Sequence, residues 1–252
     1  MQSSFNTDSF EIPAVPQAVM DCLEFVFNFD YDIKELSKII RQDVALTSAV
    51  LKLGNSQAYS MGQSTSDLSL SLSRIGSESL IYICLNHSIL ASFKFDKIKF
   101  FDLKNVLEHS VLVSKIANKI AKENNMADAN DLIIAGIMHD IGLIAYATYW
   151  PENMAKIIED CLKYKYDFSA GEKKYKLVPH DVIGKMILDH WNFPLEIGYI
   201  VQYHHFPESD LPDNLSMEMY NSIYILKLAD TLAHRFGNYP KEYHRDTYIS
   251  KA

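Results

Sequence analysis

Seven ionisable side chains, at five stations along the 252-residue chain, stand where apolar ones belong: His109, the pair His139–Asp140, His180, the pair His204–His205, and Asp230. Each falls on or beside the apolar stripe of a segment whose hydrophobic residues recur at helical spacing. His109 shares a face with Leu112, Val113, Ile116 and Ile120. His139 follows Leu132 by seven residues and Gly136 by three, and Asp140 stands in the same relation to Ile133 and Ile137. Gly136 and Gly142 beside that pair let neighbouring helices come close. His180 opens its segment four residues before Gly184, His204 follows Ile197, Ile200 and Val201 with His205 beside it, and Asp230 lies four after Leu226 and seven after Ile223.

Burying an unpaired carboxylate or imidazolium costs several kcal/mol unless a partner compensates. Taken singly, a histidine on an apolar face is more often a satisfied core residue than a ligand, and a lone aspartate more often a cap or an ion-pair member. Five stations together argue instead for one shared partner, and a divalent metal satisfies all of them. A mixed imidazole–carboxylate set without thiolate suits Fe, Mn, Zn or a Mg-like ion, with room for one or two ions and an aspartate able to bridge them. Such a site lowers the pKa of a bound water and aims hydroxide at a phosphoryl group, and any catalytic role falls first to Asp140. His87, His190, His234 and His244 lack such company and read as structural or surface residues.

The segmentation is helical almost throughout, with little strand-like alternation and no Asn-Gly hairpin turn. Capping chemistry predicts helices over 19–27, 33–41 behind Asp32, 44–53 behind Asp43, 68–75 ended by Gly76, 77–92, and 103–123 behind Asp102. Further helices are expected over 131–145, 151–164, 179–191 with Pro179 first, 194–204 and 216–236, the last ended by Gly237. The segments 61–67, 124–131, 168–178 and 206–215 read as loops, and 95–102 as a Lys/Phe-rich connector. Phe95, Phe100 and Phe101 there mark either a contact surface or simple packing between lobes. The expected division is an N-terminal helical lobe (1–100), a helical bundle carrying the stations (101–236) and a tail (237–252).

With 48% hydrophobic and 22% charged residues the chain has material for a sizeable core. A net charge of −8 argues against nucleic acid and anionic membrane as partners, and the clusters Lys94, Lys97, Lys99 and Lys173, Lys174, Lys176 read as solvated faces. Three scattered cysteines, Cys22, Cys84 and Cys161, fit a reducing compartment. The polar N-terminus lacks an apolar signal core, and no stretch has the uninterrupted apolar length of a spanning helix. A cytoplasmic protein is expected.

The order H…HD…H…HH…D on helices resembles the HD superfamily of metal-dependent phosphohydrolases, with IAGIMHDIGLI similar to its HD motif. The first hundred residues sharpen this. IPAVPQAV, IIRQDVALTSAVLKLGNSQAY and LSRIGSESL resemble the N-terminal lobe of HDOD domains, the HD-related output domains. Asn55, Ser56 and Tyr59 match that family's Asn-Ser-x-x-Tyr segment, Arg74-Ile75-Gly76 its Ile/Leu-Gly turn, and HDVIGKMILDHWNFPLEI its His-x-x-x-Gly…Trp…Pro text. The resemblance covers about residues 10–235.

The resemblance implies an all-α fold, a helical N-terminal lobe packed on an HD-domain, phosphodiesterase-like helical bundle. It implies a bacterial signal-transduction role as a regulatory or output protein that binds a signalling protein partner or a nucleotide. It also implies a metal arrangement in which His109, His139, Asp140 and Asp230 hold one ion, and His180, His204 and His205 a second, with Asp140 bridging. Many HDOD domains have lost these ligands, whereas this chain keeps a His or Asp at every station. It departs from the cyclic-dinucleotide phosphodiesterases of the HD-GYP type. Leu143 stands where those carry a Lys, FPESDLPDN follows the His204–His205 pair in place of a GYP segment, and position 105 is Asn rather than a carboxylate. A lost cation near a phosphate removes charge stabilisation from the transition state. The regulatory reading is therefore set first, and a phosphohydrolase acting on a nucleotide or other phosphoester second.

Overall fold

The computed structural model describes residues 11–27, 32–94, 101–126 and 129–236. Among the described residues all regular structure is helical: α1 (Gln17–Phe27), α2 (Ile33–Ile40), α3 (Val44–Gly54), α4 (Leu68–Ser92), α5 (Leu103–Glu123), α6 (Ala129–Met138), α7 (Ile141–Tyr149), α8 (Pro151–Tyr164), α9 (Phe168–Tyr175), α10 (His180–His190), α11 (Leu195–Tyr203) and α12 (Met217–Phe236), with one short 3-10 turn at Glu208–Asp210. Aspartates start many of them by accepting from the exposed amides of the first turn. Asp32 accepts from Lys34 N, Asp43 from Leu46 N, Asp102 from Lys104 N and Asp167 from Ala170 N.

The described residues form two compact units, those within 13–92 and those within 93–236 together with 11–12. In the first, α1, α2 and α3 pack on α4 around Val19, Cys22, Leu36, Ile40, Val50, Cys84 and Leu85. Gly76 turns α4 with φ 73° and ψ 172°, so the helices expected over 68–75 and 77–92 are two arms of one element. The second unit packs α5 against α6 and α12, and α10 against α7 and α11, with α9 lying on α8. Its apolar centre is the run Leu132–Met138 and Ile141–Ala147 on α6 and α7, nearly all of it buried. That stretch, Ala129–Tyr149, is long and apolar enough to cross a membrane by composition, but 89% of its most apolar window is buried within the fold, as in a core segment.

Two expectations are corrected. The single helix expected over 131–145 is two, because the chain breaks at His139–Asp140, where Asp140 leaves helical geometry at ψ 13°. The apolar pattern runs through the break and hides it. The loop expected over 168–178 is largely α9, which is polar in composition but capped by Asp167 and pressed onto α8, where Gly171 faces Ile157. Most of the connector, including Phe95, Lys97, Lys99 and Phe100, lies outside the described residues. So do Ala127 and Asp128 of the 124–131 loop, the Gly237 stop, His244 and the tail.

Candidate metal centre

The second unit brings all five stations, and their seven side chains, together. His109 comes from α5, His139 and Asp140 from the break between α6 and α7, and His180 from the first residue of α10. His204 and His205 follow α11, and Asp230 comes from α12. Two glycines permit this convergence. A Cβ on Gly142 would stand 1.9 Å from His180 O, and one on Gly136 would stand 2.4 Å from Ser114 Cα, so no other residue lets α10 approach α7 or α5 approach α6 so closely.

Asp140 sits at the middle, with a different set of histidines on each oxygen. Its Oδ2 faces His139 Nε2 at 3.2 Å and His109 Nε2 at 3.9 Å. Its Oδ1 faces His180 Nε2 at 3.5 Å and His204 Nε2 at 3.9 Å. Asp230 Oδ1 completes the first side, 2.9 Å from His109 Nε2 and 3.6 Å from His139 Nε2. His205 completes the second, its ring 3.9 Å from that of His204 and 5.0 Å from that of His180. Candidate ligand atoms of His109, His139 and Asp140 lie within 4.8 Å of one another, as do those of Asp140, His180, His204 and His205. Two atoms bound to one ion at about 2.0–2.2 Å stand roughly 3–3.5 Å apart, close to the 2.9–3.9 Å separations of the paired atoms here.

The proton positions follow from the acceptors. His139 Nδ1 is 2.9 Å from Gly136 O and His204 Nδ1 is 2.6 Å from Val201 O. A carbonyl can only accept, so each Nδ1 carries the proton and each Nε2 offers a lone pair inward when the ring is neutral. The Nε2 atoms of His139, His180 and His204 are buried without a hydrogen bond of acceptable geometry. Buried polar atoms are rarely left so, and a cation in each of the two ligand groups around Asp140 satisfies all three. The residues therefore fit a divalent metal.

Charge is distributed unequally among these side chains. Burial opposes ionisation of Asp140, but His139 and His180 overcome it and hold the carboxyl well below the usual carboxylate range. Asp230 is likewise held low against burial, by His234, His109 and His139. Burial pushes the His139 imidazole down, and Asp140 with Asp230 reverses this and raises it to about 10. His180 is also raised against burial, by Glu172 and Asp140. Burial lowers His109 and, with His205 and His139 adding to it, lowers His204; it takes His205 to about 3.

Two members were not anticipated from the sequence. His234 lies one turn after Asp230 on α12, with its Nε2 2.9 Å from Asp230 Oδ1 and its ring stacked on that of His109 at 4.1 Å. It belongs to a third potential ligand group with His109 and Asp230, not to the surface. The i, i+4 spacing of Asp230 and His234 was the available signal. Glu172 on α9 is the other, its Oε1 accepting from His180 N at 2.7 Å and lying 3.0 Å from His180 Nδ1. No signal marked it, because its segment did not read as a helix. His87, by contrast, pairs with Asp43 in the first unit and takes no part.

The HDOD domain profile matches residues 12–207, which takes in every station from His109 to His205 and leaves Asp230 and His234 beyond its end. An uncharacterized protein of Treponema pallidum (strain Nichols) is 24% identical over 199 residues, covering 77% of this chain and 38% of that protein. The chain thus spans about two fifths of the length of this curated relative. An HDOD domain protein of unknown function from Geobacter sulfurreducens has a similar fold, with a TM-score of 0.76 at 19% identity over 95% of this chain and 78% of that one. A protein from Shewanella amazonensis SB2B, named only provisionally as a phosphohydrolase, gives 0.69 at 21% identity over 92% and 80%.

Proposed function

We propose, from the premise that this chain belongs to the HDOD domain family, that it is a cytoplasmic signalling module whose helical core holds one or two divalent ions and whose output is contact with a protein partner or a nucleotide. One observation carries the reading. Buried imidazoles converge on both oxygens of Asp140, and His139 and His204 keep their protons on Nδ1, bonded to backbone carbonyls. His109, His139, Asp140 and Asp230 would hold one ion, and Asp140, His180, His204 and His205 another. Fe, Mn, Zn and a Mg-like ion all suit these donors. A bound ion supplies Lewis-acid charge and an acidified water.

The second reading, a phosphohydrolase acting on a nucleotide or other phosphoester, is favoured by the complete ligand set and by the likeness to the Shewanella protein's fold. Against a cyclic-dinucleotide phosphodiesterase stands Leu143, buried and apolar at the position where those enzymes offer a lysine to the phosphate. Fold likeness alone does not carry chemistry.

The test is metal analysis of protein purified without chelator, beside an Asp140→Ala variant, followed by assay of phosphomonoesters, phosphodiesters and cyclic dinucleotides. The expected result is metal in the wild type, background metal in the variant, and turnover no faster in the wild type than in the variant. Metal-dependent turnover abolished by Asp140→Ala would replace the module reading with the hydrolase one. A wild type that neither carries nor takes up metal would remove both.

A further inference from the structure

Glu172 is a buried carboxylate, 1% exposed, with no lysine or arginine hydrogen-bonded or ion-paired to it among the described residues. Its Oε1 is shared between the backbone amide that opens α10 and the Nδ1 of His180. Its Oε2 is buried without a hydrogen-bond partner. An ionised group left in that state is costly unless positive charge lies close by. The ring it pairs with is His180, whose other nitrogen, Nε2, faces Asp140 Oδ1 at 3.5 Å. The carboxylate, the imidazole and the candidate ion position therefore follow one another in sequence, which is how an outer carboxylate fixes a ligating histidine and makes it a stronger donor.

The fold goes to some length to deliver this group. α9 has only eight residues, is capped by Asp167 at its start and is closed by Lys176 in the left-handed region (φ 54°). Its outer side is tied to α8 through Asp160, whose Oδ2 receives Lys174 Nζ, Tyr175 Oη at 2.6 Å and Tyr166 Oη at 3.1 Å. Phe168 from the same helix sets its ring edge-on to His180 at 5.9 Å. The two sides of the centre then match in charge: Asp230 serves the Oδ2 side of Asp140, and Glu172 serves the Oδ1 side.

We propose that Glu172 is a positioning residue for the metal centre. It holds His180 with Nδ1 protonated and Nε2 turned to the ion on the Oδ1 side of Asp140, and it supplies the negative charge that lets that side take a divalent cation. This rests on the metal-holding reading above and adds to it a residue outside the ligand set.

The experiment is a Zn²⁺ titration by calorimetry of the full chain as wild type and Glu172→Gln, with imidazole ¹⁵N–¹H correlation spectra of both zinc forms. The amide can still accept a hydrogen bond but lacks the charge. Zn²⁺ binding to the His180 side should weaken about 10–100-fold, the usual loss on removing such an outer partner. The Nδ1–H resonance of His180 should move, while those of His139 and His204, bonded to backbone carbonyls, stay. An unchanged titration with an unmoved His180 resonance overturns the proposal and leaves the metal reading intact. No Zn²⁺ uptake by the wild type overturns both. Where Glu172→Gln does not fold, the wild-type spectrum decides: a His180 that carries no Nδ1 proton in the zinc form overturns the proposal.

Discussion

Each of the two units contains a histidine and an aspartate 2.9 Å apart: His87 with Asp43 in the first, His109 with Asp230 in the second. By distance alone they are the same interaction. Their surroundings separate them. The side chains of the first pair are 18% and 20% exposed, and those of the second 4% and 10%. Asp43 is otherwise occupied in capping α3, and no further ionisable side chain is paired with it among the described residues. Asp230 is reached in addition by His234 and His139, and His139 leads on to Asp140 and the other side of the centre. Other polar contacts of the first unit also close on themselves: Asn55 bonds Thr65 through both its amide atoms, and Arg74 donates to the carbonyls of Gly54 and Gln63. A buried pair that closes on itself shapes a fold, whereas buried groups that keep converging leave a position for a cation.

Asp140 is the residue on which the second pair's surroundings depend most. Asp140→Ala should abolish metal uptake and, in chelator, lower the stability of the chain by about 3–5 kcal/mol, since it leaves the buried imidazoles of His139 and His180 without their shared partner. Urea denaturation with and without metal measures both effects. A loss below about 1 kcal/mol in chelator would mean that the convergence is loosely held and that the buried groups satisfy one another without Asp140.

Glycines sharpen the same contrast. Gly142 is needed for contact, because a Cβ there would run into the backbone of His180. Gly76 is needed for conformation, because its φ of 73° with ψ 172° is open almost only to glycine, and nothing lies within 4 Å of an added Cβ. Gly142→Ala must part α7 from α10, so it should cost about 3 kcal/mol and weaken zinc binding together with stability. Gly76→Ala should cost about 1–3 kcal/mol through backbone strain and leave zinc affinity unchanged. Calorimetric titration of both variants checks this, and equal zinc affinities in the two would count against the role given to Gly142.

The legible part of the molecule was the part in which chemistry conflicts with periodicity. His109, His180, His204 and Asp230 interrupt apolar stripes, and a helical reading places them inward before any fold is known. The aspartate caps at residues 32, 43 and 102 were legible for a similar reason, since one side chain and one turn decide them. Glu172 was not, because α9 owes its existence to packing on α8, and a polar eight-residue segment carries no stripe to interrupt. The break at His139–Asp140 was hidden in the opposite way, by apolar residues on both sides that are buried whether or not the helix continues. His234 lay one turn from an assigned aspartate, and testing each station for a partner at i+4 would have found it.

The smallest effect belongs to the self-contained pair. Asp43→Ala removes the cap of α3 and the partner of His87, and should cost about 1 kcal/mol at neutral pH while leaving zinc content untouched. Its pH dependence has a defined sign. Burial tends to raise the Asp43 carboxyl, but the Leu46 amide and His87 outweigh it and hold it below the ordinary value of 3.8. A carboxyl lowered on folding contributes in full above its unfolded value, and the contribution is lost as pH falls through the lowered one. The gap in urea midpoint between wild type and Asp43→Ala should therefore be constant from pH 7 down to about pH 5 and narrow below about pH 4. A gap that failed to narrow below about pH 4 would show that the ionised Asp43 carboxylate does not carry it. A fall in bound zinc in this variant would show that the two units are not as separate in function as their local hydrogen bonds make them.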